Sequence, residues 1–182
     1  MKKPAIFLDR DGVIMENCAS YVRSWSDVEF FEDSIQALSD YKQVPYLFVL
    51  VTNQSVIGRG LETLEKISSI NDQIVGVVKE RGGRIDGVYL CPHSPDEKCD
   101  CRKPQPGMLL QAAVDHDINL SESIMIGDAL TDLEAGIRAG VKQTILLKTG
   151  RGTNQMQLPQ FSRYQSSLIY NNLADAFKNY FQ

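Results

Sequence analysis

Apolar positions in this chain follow two rhythms, short continuous runs and longer stretches at helical spacing. Ile6 to Leu8 is a brief apolar run followed at once by Asp9, Arg10 and Asp11. This is the pattern of a buried strand that delivers a loop to one edge of a sheet. Six apolar residues from Tyr46 to Val51 predict a central strand covered on both faces. Val88–Cys91, Ser123–Gly127 and Gln143–Leu147 predict three more. Between them, a helix is expected over about 34–43, with Asp33 as N-cap and Ile35, Leu38 and Tyr41 on its apolar face. Leu61, Leu64, Ile67, Ile70, Ile74 and Val77 or Val78 keep helical spacing for about five turns, up to Gly82-Gly83. Pro106 suits the first position of a helix continuing over Met108–His116. Thr131–Ala139, closed by Gly140, and Leu173–Tyr180 complete the helices. Residues 21–31 read as a structured loop with a short extended piece. Residues 92–107, the Gly150-Arg151-Gly152 loop and residues 151–168 read as irregular, and residues 151–182 as a cover for the sheet edge.

Strands alternating with helices predict an α/β protein, a Rossmann-like three-layer sandwich around a central parallel sheet. Such a pattern leaves function open. The polar residues narrow it. Asp9 and Asp11, Thr52 and Asn53, and Asp128 each follow a predicted strand, and ligands of open α/β sheets bind beyond the carboxyl ends of strands. Gly127-Asp128-x₃-Asp132 adds a fourth carboxylate, which a helix starting near residue 130 would return to the same edge. Carboxylates converging in one cleft repel strongly unless a hard cation such as Mg²⁺ lies among them.

The 182 residues amount to one domain, 1–182. Nineteen Lys and Arg against 23 Asp and Glu give a net charge of −4, which argues against nucleic acid as a partner. No run of 18 apolar residues is present, so no membrane-spanning helix is expected, and the apolar start ends too soon for a signal peptide. Cys91, His93, Cys99 and Cys101 lie within eleven residues. They read as metal ligands of a reducing, cytoplasmic compartment rather than a disulfide framework. Three thiolates and an imidazole suit tetrahedral Zn²⁺, although the short Cys-x-Cys step leaves a buried thiol cluster as an alternative. His116 reads as an ordinary half-exposed helix residue, and Cys18 has no evident partner.

Asp9-x-Asp11-Gly12, Thr52-Asn53, Lys103 before a proline, and Gly127-Asp128-x₃-Asp132 together resemble the four motifs of the haloacid-dehalogenase-like phosphatases, in order and spacing. Within that family, DRDGVI (9–14), YVRSWSDVEFF (21–31), TNQSVIGRG (52–60), CPHSPDEKCDCRKPQPGM (91–108) and GDALTDLEAGIRAG (127–140) are similar to the heptose bisphosphate phosphatases. The related histidinol-phosphate phosphatases share part of this pattern.

The resemblance implies a haloacid-dehalogenase-like core and a Mg²⁺-dependent phosphatase working through an aspartyl-phosphate, with loss of the 7-phosphate of a heptose 1,7-bisphosphate as the leading reaction. It implies Asp9 as nucleophile, Asp11 as acid and base, and Thr52 and Lys103 as supports of the transferring phosphoryl group. Mg²⁺ would be held by Asp9, the main-chain carbonyl of Asp11, and Asp128, with Asp132 behind them. Asn53, Gln54, Ser55, Arg59 and Arg102 would meet the rest of the substrate, a small phosphorylated sugar or metabolite. Cys91, His93, Cys99 and Cys101 would hold a structural Zn²⁺ that fixes the loop 91–101. Val56 and Ala129 depart from the common family pattern, where a glycine and a lysine are frequent. Only about 40 residues separate Asp11 from Thr52 and about 50 separate Thr52 from Lys103. Neither interval has room for a cap domain of about 60 residues or more. A monomer with an open site is expected. A zinc-stapled binding module with a relic site is the non-enzymatic alternative.

Overall fold

The computed structural model describes residues 2–181. Six strands among them, β1 (Ala5–Leu8), β2 (Leu47–Asn53), β3 (Gly87–Cys91), β4 (Ile124–Gly127), β5 (Gln143–Leu147) and β6 (Leu168–Tyr170), form one sheet. Its order is β3-β2-β1-β4-β5-β6 and every pairing is parallel. Side chains of a strand alternate between faces. Ile6, Leu8, Phe48, Leu50, Ile124 and Ile126 therefore point one way, and Ala5, Phe7, Val49, Val51 and Met125 the other, all fully buried. The first face is covered by α1 (Glu32–Asp40), α3 (Leu64–Glu80) and α7 (Leu173–Tyr180). The second is covered by α4 (Gly107–Asp115) and α5 (Leu130–Ala139). This is the expected three-layer α/β architecture.

Register sets the site. Leu8 pairs with Leu50 on one side and with Ile126 on the other. Asp9 directly follows Leu8, Asp128 follows β4, and Thr52 stands two residues beyond Leu50 near the end of β2, so all three lie at the carboxyl edge of the sheet. The chain reverses its direction of winding between β1 and β4, so this edge is the topological switch point where open α/β sheets bind ligands.

Several local expectations are corrected. Phe31, not Asp33, is the N-cap of α1, and Asp33 sits in the first turn, where its charge favours the helix N-terminus. Thr63 caps α3 by accepting from the Lys66 N–H, which leaves Leu61 outside the helix and 44% exposed. The stretch before it contains a short helix, α2 (Ser55–Gly58), where only a break was expected. Pro106 is the N-cap of α4 rather than its first residue. Short 3₁₀ turns occur at Trp25–Asp27 and Pro95–Glu97.

The largest correction concerns residues 151–168, which contain a short helix, α6 (Gly152–Gln155), and a 3₁₀ segment over Pro159–Tyr164, and lead into β6. Strand β6 has three residues, and its Leu168 and Ile169 are more than a third exposed, so it shows neither a buried run nor alternation. Beyond it, α7 belongs to the core: Phe177 is fully buried and its ring meets Tyr41, Phe48 and Phe181 at centroid distances of 5.4, 5.9 and 5.6 Å. Replacing Phe177 by Ala should lower stability by about 3–5 kcal/mol, through lost burial plus an unfilled cavity. Urea unfolding would measure this, and a loss below about 1 kcal/mol would show that α7 is peripheral.

Candidate active site

Asp9 and Asp11 follow β1, and the turn after them is tight. Gly12 has φ +84°, and a Cβ there would run into the Asp128 carboxylate. Glycine alone allows both the left-handed backbone and that approach. Gly127 allows the close approach alone for Asp132, whose carboxylate occupies the space a Cβ would fill.

Lys103 ties the carboxylates together. Its ammonium lies 2.9 Å from Asp9 Oδ1 and 2.7 Å from Asp132 Oδ1, and donates to Val51 O at 2.8 Å. Three donors meet three acceptors, so the buried charge is fully satisfied. Asp132 also accepts from the Ala129 N–H at 3.0 Å, which fixes it at the first turn of α5. Lys103 is positioned by its own backbone: its N–H donates to Asn53 Oδ1 and its carbonyl accepts from Asn53 Nδ2, each at 3.0 Å.

Asp11 is held differently. The Arg10 guanidinium, 1% exposed, grips it through Nε at 3.1 Å and Nη2 at 3.0 Å, while Nη1 donates to Asn71 Oδ1 of α3 at 2.9 Å. Gln54 Nε2 donates to Asp11 Oδ2 at 3.1 Å and to Thr52 Oγ1 at 2.8 Å. Asp128 accepts at Oδ2 from Asn17 Nδ2 at 2.6 Å and from the Arg151 N–H at 2.8 Å, and at Oδ1 from Arg151 Nη2 at 3.0 Å.

The electrostatics follow from this crowding. Burial pushes the Asp9 carboxyl up to about 7, against the pull of Lys103, and Asp132, Asp128 and Asp11 raise it further. Burial also raises Asp128, with Arg151 opposing and Asp132 adding to the rise. Burial alone would lower Lys103, but Asp132 and Asp9 outweigh it and hold the ammonium above its ordinary value. Asp9, Asp128 and Asp132 bring one carboxylate oxygen each within 4.8 Å of one another. Three buried carboxylates share two facing cations, Lys103 and Arg151, so the cluster keeps an excess of negative charge and oxygen donors. That donor set fits a hard divalent cation.

These groups line or underlie a cleft of about 480 Å³. Of the residues expected to meet substrate, Asn53, Gln54, Ser55, Arg59 and Arg102 all border it. Their situations differ. Gln54 is 4% exposed and spends its amide on Asp11 and Thr52, and Arg102 Nη1 donates to His93 O at 3.2 Å. Arg59, just after α2, is exposed. Arg10, Asn17 and Arg151 were not singled out in the sequence. The strand-end rule that found Asp9 and Asp128 applies equally after β5, and would have placed Arg151 at this edge. Nothing in the local sequence marks Asn17, which reaches Asp128 across 111 positions.

Beside the cleft, Cys91, His93, Cys99 and Cys101 converge, with Sγ–Sγ distances of 3.1 Å (Cys101–Cys91), 3.5 Å (Cys101–Cys99) and 3.6 Å (Cys91–Cys99). His93 Nδ1 lies 3.3 Å from Cys101 Sγ. Burial pushes the Cys99 thiol up, but the Arg102 N–H and the neighbouring thiols outweigh it and hold the group at about 7. The four side chains are thus a potential metal-binding cluster. Cys18 borders the cleft with its sulfur 3.5 Å from Ser20 Oγ, and His116 packs edge-on to Tyr89 away from it.

The HAD-hydrolase-like family model matches residues 100–176. A D-glycero-beta-D-manno-heptose-1,7-bisphosphate 7-phosphatase of Photorhabdus laumondii is 40% identical over 179 residues, covering 94% of this chain and 92% of that protein. The chain belongs to the haloacid-dehalogenase-like phosphatases. A Helicobacter pylori protein of the same name is 43% identical over 79% of this chain and 82% of its own. The crystal structure of D,D-heptose 1,7-bisphosphate phosphatase from B. bronchiseptica, complexed with magnesium and phosphate, superposes with a TM-score of 0.89 at 33% identity, covering 98% of each chain. As a member of this family the protein is a Mg²⁺-dependent phosphatase. Among the described residues no helix is long and apolar enough to cross a membrane.

Removing the Lys103 charge should leave Asp9 and Asp132 buried and uncompensated. Lys103→Met should therefore cost about 3–5 kcal/mol at pH 8. Loss of Lys103 removes the main charge opposing the rise of Asp9, already at about 7, so the variant binds protons in the folded state well above the unfolded value. Its deficit should shrink as pH falls toward 5. Urea titrations of both proteins at pH 8 and 5.5 test this, and a deficit independent of pH would contradict it.

Proposed function

We propose that this phosphatase removes the 7-phosphate of D-glycero-D-manno-heptose 1,7-bisphosphate to leave the 1-phosphate. The observation that carries the reaction class is the Asp9–Lys103–Asp132 cluster at the switch point, with Asp11 two residues along the same strand exit. The substrate assignment is supported by the names borne by relatives that align along most of the chain.

Phosphate monoesters hydrolyse extremely slowly unaided, so splitting the reaction through a covalent intermediate gives a large advantage. An Asp9 carboxylate oxygen attacks phosphorus, and the bond to the sugar oxygen breaks. Asp11 gives its proton to the departing alkoxide. Asp11 then takes a proton from water, whose oxygen attacks the phosphorus of the phosphoaspartate, releasing inorganic phosphate and restoring Asp9. The grip of Arg10 and Gln54 on Asp11 orients the carboxyl for both transfers. Lys103 opposes the rise that burial imposes on Asp9 and neutralises phosphoryl oxygens, and Thr52 offers its hydroxyl to them. Asp9, the Asp11 main-chain carbonyl and Asp128 would hold Mg²⁺, which would supply charge screening between the nucleophile and the dianionic phosphate. Asp132 acts through Lys103 rather than on the metal. Arg59 and Arg102, with Asn53, Gln54 and Ser55, form the wall against which the remainder of the substrate rests.

The thiol–imidazole cluster is assigned as a structural Zn²⁺ site within one domain spanning the chain. Its separations suit a tetrahedral shell, whose ligand atoms lie about 3.8 Å apart for Zn–S bonds near 2.3 Å. Metal at that site would staple the loop that ends in Arg102 and Lys103. A reducing, cytoplasmic setting suits its free thiols.

Phosphate release should be followed with Mg²⁺ present from both anomers of the heptose bisphosphate, fructose 1,6-bisphosphate and histidinol phosphate. We expect a heptose preference of about 100-fold or more in kcat/KM, equivalent to about 2.7 kcal/mol of differential transition-state binding. Asp9→Asn should lower kcat on the order of 10⁴-fold or more, and omission of Mg²⁺ should abolish turnover. A preference for histidinol phosphate would reassign the substrate, and full activity in Asp9→Asn would refute the covalent route. Metal analysis of the purified protein should find zinc equimolar with the chain. Cys101→Ser should lose that zinc and most of the activity while the sheet stays folded by circular dichroism. Activity and fold surviving complete zinc removal would contradict the stapling role.

A further inference from the structure

Arg151 stands between two duties. It lies in the turn after β5, where Thr149 Oγ1 donates to Gly12 O at 2.6 Å and fastens the turn to the first catalytic loop. Its backbone and its side chain bind the same carboxylate by different means. Asp128 Oδ2 accepts from the Arg151 N–H, fixed by the fold, from Asn17 Nδ2, and at 3.3 Å from Arg151 Nε. Among the described residues, Asp128 Oδ1 accepts only from the guanidinium, through Nη2 at 3.0 Å.

The two ends of this pair are also unequally anchored. Asp128 is fully buried, whereas the Arg151 side chain is 53% exposed and borders the cleft. If the guanidinium swings away, Oδ2 thus keeps the Arg151 N–H and Asn17 as donors, whereas Oδ1 is left with none among the described residues. A divalent cation and a guanidinium are both positive, and they cannot occupy the same face of one carboxylate oxygen.

We propose that Arg151 is a metal-displaced phosphate clamp, whose guanidinium covers Asp128 Oδ1, yields that oxygen to the divalent cation, and turns into the cleft to hold the phosphate that is not transferred. The proposal rests on the assignment of Asp128 as a metal ligand and of a bisphosphate as substrate. Charge supports the second half. A guanidinium leaving Asp128 carries an unpaired positive fork into a cleft already bordered by Arg59 and Arg102, and paired N–H donors match phosphate oxygens. The lysine in the pocket floor is committed to Asp9 and Asp132, so Lys103 cannot serve the remote phosphate. Metal occupancy would then prepare the substrate site, so that the bisphosphate binds productively only to the metal-loaded enzyme.

The first test needs no turnover. Mn²⁺ binding to the resting enzyme, by calorimetry and by electron paramagnetic resonance, should tighten several-fold in Arg151→Ala, because the competing cation is gone. Arg151→Lys keeps the charge but loses the fork, and should fall between. Affinity that is unchanged or weaker in both variants would overturn the displacement. The second test compares a sugar bisphosphate with the matching monophosphate. Arg151→Ala should lower kcat/KM for the bisphosphate by on the order of 10- to 100-fold more than for the monophosphate, mostly through KM. Equal losses on the two would overturn the clamp. Failure of the wild type to hydrolyse any bisphosphate would refute the substrate assignment instead, and the metal-binding arm would still decide the displacement.

Discussion

A single buried ammonium holds this site together. Lys103 lies between Asp9 from the end of β1 and Asp132 from the start of α5, and its third proton goes to the backbone at Val51. Removing ions from water is costly, and only close pairing makes these charges tolerable at this depth. Strand β1, strand β2, the loop before α4 and the first turn of α5 are thereby committed to one geometry. The same pairing draws the Asp9 carboxyl down against the burial and neighbouring carboxylates that raise it. Stability and chemistry depend here on one contact.

Lys103 in turn depends on a loop with little regular structure. Two hydrogen bonds to Asn53 pin its backbone to the end of β2. Two residues earlier, Cys101 enters the thiol–imidazole cluster, which also draws in Cys91 at the end of β3. The Arg102 N–H points at Cys99 Sγ and its guanidinium at His93 O, so the cluster orients the arginine on the cleft wall as well as the lysine on its floor. A segment that could not hold its shape through backbone hydrogen bonds alone is held through side chains at both ends.

The cleft is walled by loops after β1, β2, β3 and β5, with no inserted cap. Recognition of a substrate must then come from side chains already at the sheet edge, chiefly arginines suited to phosphate. Arg59 and Arg102 arise from the β2 and β3 connections, and Arg151 from the β5 connection. Three arginines from three separate crossovers thus border one carboxylate cluster.

The sequence by itself determined the layered parallel fold, because buried strands and amphipathic helices are written in local periodicity. It also pointed to Asp9, Asp11, Thr52 and Asp128, which follow or end recognisable strands, and to the Cys/His set through its spacing, whereas Lys103 was marked by resemblance to the phosphatase motifs. The partners of those residues were decided only in three dimensions. Arg10 buried against Asn71 and Asn17 against Asp128 across 111 positions carry no local signature, and for Arg151 the strand-end rule gives the edge but not the carboxylate it meets. Strand β6 was equally silent, being too short and too exposed to show a period. Periodicity records which face of an element is buried. It does not record which distant polar group arrives to satisfy a buried charge, since that is settled by strand register and crossover path once the sheet has formed.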